Sequence, residues 1–282
     1  MSRVVKNLPR TYWRGRAAAV AHRISLWLGT RFPDSFPFIF VVGYPKSGTT
    51  WVSQLVADYF QLPYPRGPVT PLGFPAVIHG HELVRPGFRN CVFVLRDGRD
   101  VMVSRYFSML RRLGSDRFNP RIPRRMRRNL PPIRDKEAVR EHLPQVIEYQ
   151  AKRPRSTRYN WAEHYRGYVE AGRDDVPMIR YEDLLADGPR VLAEAMAQLA
   201  DEPPDYEIAE QSIERFSFRR QTGGRGQGTQ DASSYLRKGQ AGDWRNYFNR
   251  AAGEVFDEHF GDVLIEGGYE RDRRWLDELP ED

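Results

Sequence analysis

Residues 43–51, with the sequence GYPKSGTTW, have residue types and spacing suited to binding an anion. The first N–H groups of a helix have no partner within the helix, and the helix dipole favours an anion beside them. Glycines at 43 and 48 let the backbone approach such an anion closely, and Lys46 adds a full positive charge. Because a strand-like run precedes the segment and a helical pattern follows it, the segment predicts a phosphate-binding loop.

The loop differs from the common loop of nucleoside-triphosphate-binding proteins. That pattern, G-x-x-x-x-G-K-[ST], places a lysine directly after the second glycine. Here Thr49 follows Gly48, and the lysine lies earlier, at position 46. A triphosphate site usually needs a metal to offset its clustered charge. The displaced lysine therefore indicates a transferring group that carries less charge.

Three short apolar runs have the composition of strands buried on both faces, and a helical pattern follows each of them. The strand candidates are residues 38–42, 91–95 and 176–181, and the helical segments are about 51–59, 100–113 and 189–199. Asp100 is the candidate N-cap of the second helix. Strands that alternate with helices predict an α/β fold, in which one P-loop-like domain has a central parallel β-sheet, flanking helices and long insertions.

The predicted domain boundaries are an N-terminal extension at 1–37, a main domain at 38–270 and a C-terminal tail at 271–282. Residues 111–134 contain nine arginines and few apolar residues, so we expect a mobile or partner-ordered loop there. Residues 219–242 are rich in Gly, Gln and Arg, which also favours a loop.

The N-terminal extension contains one helical pattern, at residues 17–28, with basic residues around it. Two interpretations are open. The segment is either a surface helix packed on the domain or a basic amphipathic helix in peripheral contact with an anionic membrane surface.

Composition limits the class of protein. The 282 residues include 44 Lys and Arg against 37 Asp and Glu, a formal net charge of +7, which points to anionic ligands or surfaces. Cys91 is the single cysteine, so an intramolecular disulfide and a cysteine-rich zinc site are excluded. No apolar run approaches the ~18 residues of a spanning helix. We therefore expect a cytoplasmic protein.

The loop YPKSGTTW at 44–51 resembles the 5′-phosphosulfate-binding loop of the cytosolic-type sulfotransferases, which use 3′-phosphoadenosine 5′-phosphosulfate (PAPS). Three further segments resemble motifs of that family in the same order. They are RDGRDVMVSRY at 96–106, RYEDL at 180–184 and RKGQAGDWRN at 237–246. The resemblance covers about residues 38–260 and implies that the domain at 38–270 is a sulfotransferase domain with acceptor-side insertions.

The resemblance also implies roles for individual residues. Those placed at the 5′-phosphosulfate are Lys46, Ser47, Gly48, Thr49 and Thr50. Those placed at the 3′-phosphate are Arg96, Ser104, Arg237, Lys238 and Gly239. Those placed at the adenine are Trp51, Tyr181 and Phe218, of which Trp51 has the alternative of a core tryptophan. Lys46 and Ser104 are also expected among the catalytic residues, together with a histidine.

The family's general base is a histidine just before the strand of the 3′-phosphate motif, and here that region reads VIHGHEL at 77–83. Alignment on the following strand places His81 at the base position, with Gly80 in place of the usual threonine. His79 stands where a lysine is common, and it is the alternative base. A zinc site from this pair is not expected, because no cysteine or third histidine lies nearby in the sequence.

The implied reaction is transfer of a sulfuryl group from PAPS to a hydroxyl or amine, with 3′,5′-ADP as product and no metal. The acceptor is a small molecule, lipid or glycan, and no nucleic acid is expected. Its pocket is expected within residues 61–83 and 111–160, with wall candidates Tyr64, Phe74, Phe88, Tyr106, Phe107, Phe118, Tyr149, Tyr159, Trp161 and Tyr165. Two other functions stay open: a P-loop nucleotide-dependent kinase, and a non-enzymatic polyanion-binding protein. The family's dimer motif is not carried over, because Asn249 and Arg250 occupy its T-V positions, so the oligomeric state is open.

Overall fold

The computed structural model describes residues 10–65, 75–114, 133, 137–152 and 158–281. The strands are β1 (Phe38–Gly43), β2 (Ala76–Gly80), β3 (Asn90–Leu95) and β4 (Met178–Arg180). The helices are α1 (Arg10–Arg31), α2 (Thr49–Tyr59), α3 (Gly98–Gly114), α4 (Val139–Lys152), α5 (Trp161–Ala171), α6 (Tyr181–Ala186), α7 (Gly188–Ala200), α8 (Tyr206–Arg215), α9 (Phe218–Gln221) and α10 (Arg250–Glu266). Two 3-10 helices, Asp243–Asn246 and Arg273–Glu278, flank α10.

The four described strands form one parallel sheet in the order β2-β1-β3-β4. In this register Phe40 of β1 lies opposite Ile78 of β2 and Cys91 of β3. Every residue of β1 is buried, because helices cover both faces of the sheet. The predicted α/β fold with a central parallel sheet flanked by helices is confirmed.

Successive side chains of β1 point to opposite faces and enter two separate cores. Phe38 and Phe40 pack with residues of α3, α4, α5 and α10. Ile39 and Val41 pack with residues of α2, α7 and α8. Because the strands are parallel, the segments that follow β1, β2, β3 and β4 all lie at one edge of the sheet, where ligands bind in such folds.

Two predicted element boundaries are wrong. The helix expected from Asp100 begins at Gly98, and the carboxylate of Asp97 accepts the N–H of Arg99 in its first turn at 2.8 Å. The third strand ends at Arg180, and Tyr181 is the first residue of α6. In both places the chain turns from strand to helix within a few residues, so apolar periodicity does not mark the boundary.

The helix predicted at 17–28 is longer, from Arg10 to Arg31. It packs on the domain through the small residues Ala21, Ser25 and Gly29, which recur every four positions and are buried. A Cβ at Gly29 would lie 2.7 Å from the rings of both Phe38 and Phe40. The first interpretation, a helix packed on the domain, is therefore confirmed, and membrane contact stays a prediction.

Parts of two predicted loops lie outside the described residues. They are residues 66–74 of the expected acceptor-pocket segment 61–83, and residues 115–132 and 134 of the arginine-rich segment 111–134, whose first residues belong to α3. Within the described ranges, no helix is both long and apolar enough to cross a membrane.

Candidate active site

The predicted phosphate loop connects β1 to α2. Gly48 is the N-cap of α2 in a left-handed conformation, with φ of 94°, and Lys46 also has positive φ, at 80°. A Cβ on Gly48 would lie 2.6 Å from the ring of Tyr181, so glycine is needed for the close contact as well as for the conformation. The loop therefore lies between a strand and a helix, in the order that the sequence predicted.

A cavity of about 400 Å³ lies beside this loop, and we name it the loop cavity. The predicted site residues that line it are Lys46, Gly48, Thr50, Trp51, Arg96, Ser104, Tyr181, Phe218, Arg237, Lys238 and Gly239. Segments distant in the sequence thus meet at one place.

Two residues predicted for the same site lie under the loop instead of in the cavity wall. Ser47 and Thr49 are both buried. The Ser47 hydroxyl has no hydrogen-bond partner among the described residues, whereas the Thr49 hydroxyl lies 3.2 Å from Nε2 of His79. Their backbone N–H groups still belong to the loop and to the first turn of α2.

The wall of the loop cavity is strongly cationic. Lys46, Arg96, Arg237 and Lys238 line it, and none of its described lining residues is an aspartate or glutamate. A group with several negative charges would therefore be favoured there.

Arg96 connects the two motifs that border the loop cavity. Its guanidinium donates to the carbonyl of Lys46 at 3.3 Å and to that of Gln240 at 3.1 Å, and it lies 3.5 Å from the Asp100 carboxylate. Its carbon lies 4.3 Å from the centre of the Tyr181 ring. The Nε of Arg96 is buried and has no hydrogen-bond partner in the part of the chain that the structure describes, so the side chain has a donor left for a ligand.

Arg237 and Lys238 are held by a buried carboxylate of their own motif. Asp243 pairs with Arg237, and it accepts from Lys238 Nζ at 2.5 Å. Burial opposes ionisation of Asp243, but the two cations lower its pKa below the usual value. Asp100 holds the same motif in place by accepting the N–H groups of Gly242 and Trp244, each at 2.8 Å.

Tyr235, which no sequence motif predicted, lies over the phosphate loop. Its ring lies 4.1 Å from Lys46 Nζ, and its hydroxyl lies 3.1 Å from that of Thr50. Phe216, also not predicted for the site, accepts the indole N–H of Trp51 on its carbonyl at 3.0 Å. Tyr235 stands two residues before the RKG motif, and this proximity was the signal available in the sequence.

The two candidate histidines lie at the carboxyl end of β2, and their ring centres are 4.8 Å apart. His81 Nδ1 lies 2.7 Å from the carbonyl oxygen of Gly43. Because a carbonyl only accepts, Nδ1 carries the proton and Nε2 holds a lone pair. Burial lowers the pKa of His81, although its hydrogen bond to Gly43 opposes this, so the ring is neutral near pH 7.

The backbone of His81 is fixed on both sides. Its N–H donates to Glu82 Oε2 at 2.9 Å, and its carbonyl accepts Nε2–H of His164 at 3.2 Å. The other Glu82 oxygen lies 3.1 Å from His22 of α1. A Cβ on Gly80 would lie 2.2 Å from Oε2 of Glu82, so a threonine there would displace this carboxylate.

A second cavity, of about 790 Å³, lies on the side of these histidines, and we name it the histidine cavity. Its walls come from α1, the end of β2, the segment 81–88 and residues 158–159. Among the predicted wall residues Phe88 and Tyr159 line it.

The other predicted acceptor-wall residues lie elsewhere. Tyr106, Phe107 and Trp161 are buried in the core, and Tyr149 and Tyr165 pack against it. Tyr64 lines a different surface cavity, and Phe74 and Phe118 lie outside the described residues. The same aromatic residue types occur in a core and in the wall of a binding cavity, so the sequence did not distinguish the two locations.

The described residues contain no group of three or more His, Cys, Asp or Glu side chains that could hold a metal ion.

The amino-acid sequence of this chain is similar to a known family and to several known proteins. The family model described as "Sulfotransferase domain" matches residues 88–268. Human sulfotransferase 1C2 is 25% identical over 262 residues, which cover 78% of this chain and 80% of that protein. Mouse sulfotransferase 1E1 is 24% identical over 262 residues, which cover 78% of this chain and 81% of that protein.

Solved structures share the fold. Mouse sulfotransferase SULT7A1 complexed with PAP has a TM-score of 0.58 and 21% sequence identity, with 87% of this chain and 91% of that one covered. Retinol dehydratase in a complex with retinol and PAP has a TM-score of 0.54 and 17% identity, with 80% and 81% covered. Since the family model matches more than half of the residues, the chain belongs to the sulfotransferase domain family.

Proposed function

We propose that the protein transfers the sulfuryl group of PAPS to a hydroxyl or amine of an acceptor, with His81 as general base. The observation that carries this proposal is that the phosphate loop contacts both the cationic residues and the candidate base. Lys46 of the loop lines the loop cavity with three other cationic side chains, and Gly43, the first residue of the loop, accepts the hydrogen bond of His81.

The residues of the loop cavity suit PAPS as the donor. Its two anionic ends would lie against Lys46 and the α2 N-terminus, and against Arg96, Ser104, Arg237 and Lys238, while Trp51, Tyr181 and Phe218 supply rings for the adenine. The buried, unpartnered Nε of Arg96 is consistent with an anionic ligand that completes its hydrogen bonding. The solved relatives SULT7A1 and retinol dehydratase carry PAP, which is the 3′,5′-ADP product.

When bound, the donor supplies a sulfuryl group whose bond to the bridging oxygen breaks as the new sulfur–oxygen or sulfur–nitrogen bond forms. His81 Nε2 accepts the proton that the acceptor loses. Lys46 offsets the negative charge that develops on the bridging oxygen. The Gly43 carbonyl accepts the hydrogen bond from Nδ1–H of His81. This bond keeps the ring in the tautomer whose Nε2 can accept a proton.

His79 takes a different role in this proposal. Its Nε2 lies 3.2 Å from the Thr49 hydroxyl at the start of α2, so it supports the loop and leaves proton transfer to His81. The four cations of the loop cavity would balance the negative charge of the donor's phosphates. We therefore propose transfer without a divalent metal. Addition of EDTA should leave the transfer rate unchanged.

A thermal-shift comparison tests the donor assignment. A ligand that binds only the folded protein raises its melting temperature. We expect 3′,5′-ADP to raise it much more than ADP, which lacks the 3′-phosphate that Arg96, Ser104, Arg237 and Lys238 would hold. Equal shifts for the two nucleotides would remove the 3′-phosphate assignment. A larger shift with ATP and magnesium would favour a kinase, and a shift with heparin alone would favour a polyanion-binding protein.

We also propose that the domain boundaries are 1–37, 38–270 and 271–282, with α1 as a part of the extension that serves the site. The helix reaches the histidine cavity through His22, Arg23, Leu26 and Trp27. An N-terminal truncation at residue 37 should therefore retain binding of 3′,5′-ADP and lose most transfer activity.

A further inference from the structure

Three arginines in the wall of the histidine cavity have no side-chain partner among the described residues. They are Arg23 of α1, Arg85 of the segment after β2, and Arg158. All three are exposed, and their side chains make no hydrogen bond or ion pair with any residue that the structure describes. Within the described part of the chain, no carboxylate pairs with these three positive charges.

The cavity contains one carboxylate among its described lining residues, and that carboxylate is already engaged. Glu82 accepts the N–H of His81 at 2.9 Å and lies 3.1 Å from His22 Nε2. Burial opposes its ionisation, but the hydrogen bond and charge of His22 bring its pKa to about 2. Glu82 therefore fixes the base and α1, and it does not neutralise the arginines.

Arginines outside the cavity wall are of both kinds. Arg89 pairs with Asp34, and Arg173 pairs with Asp175. Arg31 and Arg271, by contrast, are exposed and make no hydrogen bond or ion pair with the residues that the structure describes. The histidine cavity is therefore distinguished by three such arginines in one wall.

Apolar groups in the same cavity suit a flat organic body. Leu26 and Trp27 come from α1, and Phe88, which is buried, lies beneath the cavity at the segment after β2. The Phe88 ring stacks on Phe40 at 4.3 Å, which fixes its position. A cavity of about 790 Å³ is in the size range of small-molecule sites.

We propose that the histidine cavity binds an acceptor with a flat apolar body and an anionic group, such as a carboxylate, sulfate or phosphate. Arg23, Arg85 and Arg158 bind the anion, Leu26 and Trp27 contact the body, and the hydroxyl that receives the sulfuryl group faces His81. This inference rests on the proposed function and names the substrate class. It is independent of the arginine-rich segment at 111–134.

Two acceptors of one shape test it. The probes are 2-naphthol and 6-hydroxy-2-naphthoate, which share the ring system and differ in the carboxylate. With PAPS as donor, we expect kcat/KM to be at least about tenfold higher for 6-hydroxy-2-naphthoate, because a carboxylate gains charge-assisted hydrogen bonds from guanidinium groups. This preference should fall at high salt, since the arginines are exposed. Equal values, or a preference for 2-naphthol, would overturn the proposal.

Arginine variants show which residues carry the preference. Arg23→Ala, Arg85→Ala and Arg158→Ala should each reduce the ratio of the two kcat/KM values, and the triple variant should bring it close to one. Arg271→Ala is the matched control, because Arg271 is also exposed and without an ion pair among the described residues, and it lies outside the cavity wall. A ratio that stays high in the triple variant would overturn the assignment.

Calorimetry separates this inference from the proposed function. Binding of 6-hydroxy-2-naphthoate to the protein without donor should weaken about tenfold or more in the triple variant. If the protein binds 3′,5′-ADP and transfers sulfuryl groups but shows no carboxylate preference in either assay, only the inference fails. If it fails to bind 3′,5′-ADP, the proposed function fails, and calorimetry alone decides about the anion.

Sedimentation with phosphatidylserine–phosphatidylcholine vesicles tests a different occupant. Trp27, Val20 and Ile24 are exposed on α1, so a membrane surface is the competing ligand for Arg23. Loss of vesicle binding in the triple variant, with an unchanged acceptor ratio, would assign the arginines to lipid headgroups and overturn the proposal.

Discussion

The loop cavity and the histidine cavity share no lining residue, and they hold their cations in different ways. In the loop cavity, Arg237 and Lys238 share the buried Asp243, and Arg96 is bonded to two backbone carbonyls. In the histidine cavity, Arg23, Arg85 and Arg158 have no partner among the described residues. The cations of the loop cavity are therefore preorganised for a ligand of one shape. In the histidine cavity, the negative charge that balances the arginines has to come from the ligand.

The two cavities also differ in how the sequence encodes them. The loop cavity is built from contiguous motifs with a defined spacing, so each motif places several groups at once. The histidine cavity combines α1 with the end of β2 and with residues 158–159, which no local pattern connects. We therefore expect donor binding and acceptor binding to be separable by mutation.

The largest effect should come from the base. His81→Ala should reduce the transfer rate by about 10²–10⁴ and leave binding of 3′,5′-ADP nearly unchanged, because the ring faces the acceptor's proton. The measurements are the rate of 3′,5′-ADP formation and calorimetric binding of that nucleotide.

His79→Ala is the comparison variant and should be milder, because His79 contacts the Thr49 hydroxyl. An inactive His79→Ala with an active His81→Ala would exchange the two roles. If both variants stay active, neither histidine is the base.

A smaller effect, confined to the donor side, should follow Arg237→Ala. Loss of a charged hydrogen bond should weaken binding of 3′,5′-ADP by about 1.5–3 kcal/mol. Binding of ADP, which has no 3′-phosphate, should change much less. Arg245→Ala is the control, because Arg245 belongs to the same motif but is exposed outside the cavity wall. Similar losses for both nucleotides would count against a 3′-phosphate at this arginine.

The close contact between Gly239 and Phe218 gives a further test of preorganisation. Gly239 has φ of 63°, and a Cβ there would lie 2.4 Å from the Phe218 ring. Gly239→Ala should displace that ring and cost about 1–3 kcal/mol in 3′,5′-ADP binding, as strain of this kind typically does.

Gly223→Ala is matched to it, because Gly223 has φ of 71° but no atom within 4 Å of an added Cβ. It imposes the same backbone strain without the ring contact, so it should leave nucleotide affinity close to that of the unchanged protein. Equal losses in the two variants would mean that backbone conformation alone, and not the ring contact, shapes the cavity.

The smallest expected effect is on pH dependence. His81 acts as a base only when it is neutral, and burial lowers its pKa below the usual value of 6.5. The acidic limb of kcat/KM against pH should therefore lie below pH 6.5. Glu82 raises the pKa of His81 by its charge, so Glu82→Gln should move the limb to still lower pH. A limb above pH 6.5 would contradict the lowered pKa of His81.

The sequence by itself determined the sheet class and the donor side of the site. Runs such as 38–42 show which segments are buried on both faces, and the phosphate loop with its three companion motifs predicted the residues that meet in the loop cavity. It also narrowed the base to His79 and His81. These features are local, because each depends on spacing within a few residues.

Only the tertiary structure decided what lies between distant segments. It separated the two histidines by their partners, since His81 bonds to Gly43 and His79 lies beside Thr49. It placed Trp161 and Tyr106 in the core and brought α1 to the histidine cavity. Long-range contacts of this kind depend on how the chain packs, and an aromatic or basic residue has the same local pattern whether it enters a core, a cavity wall or the surface.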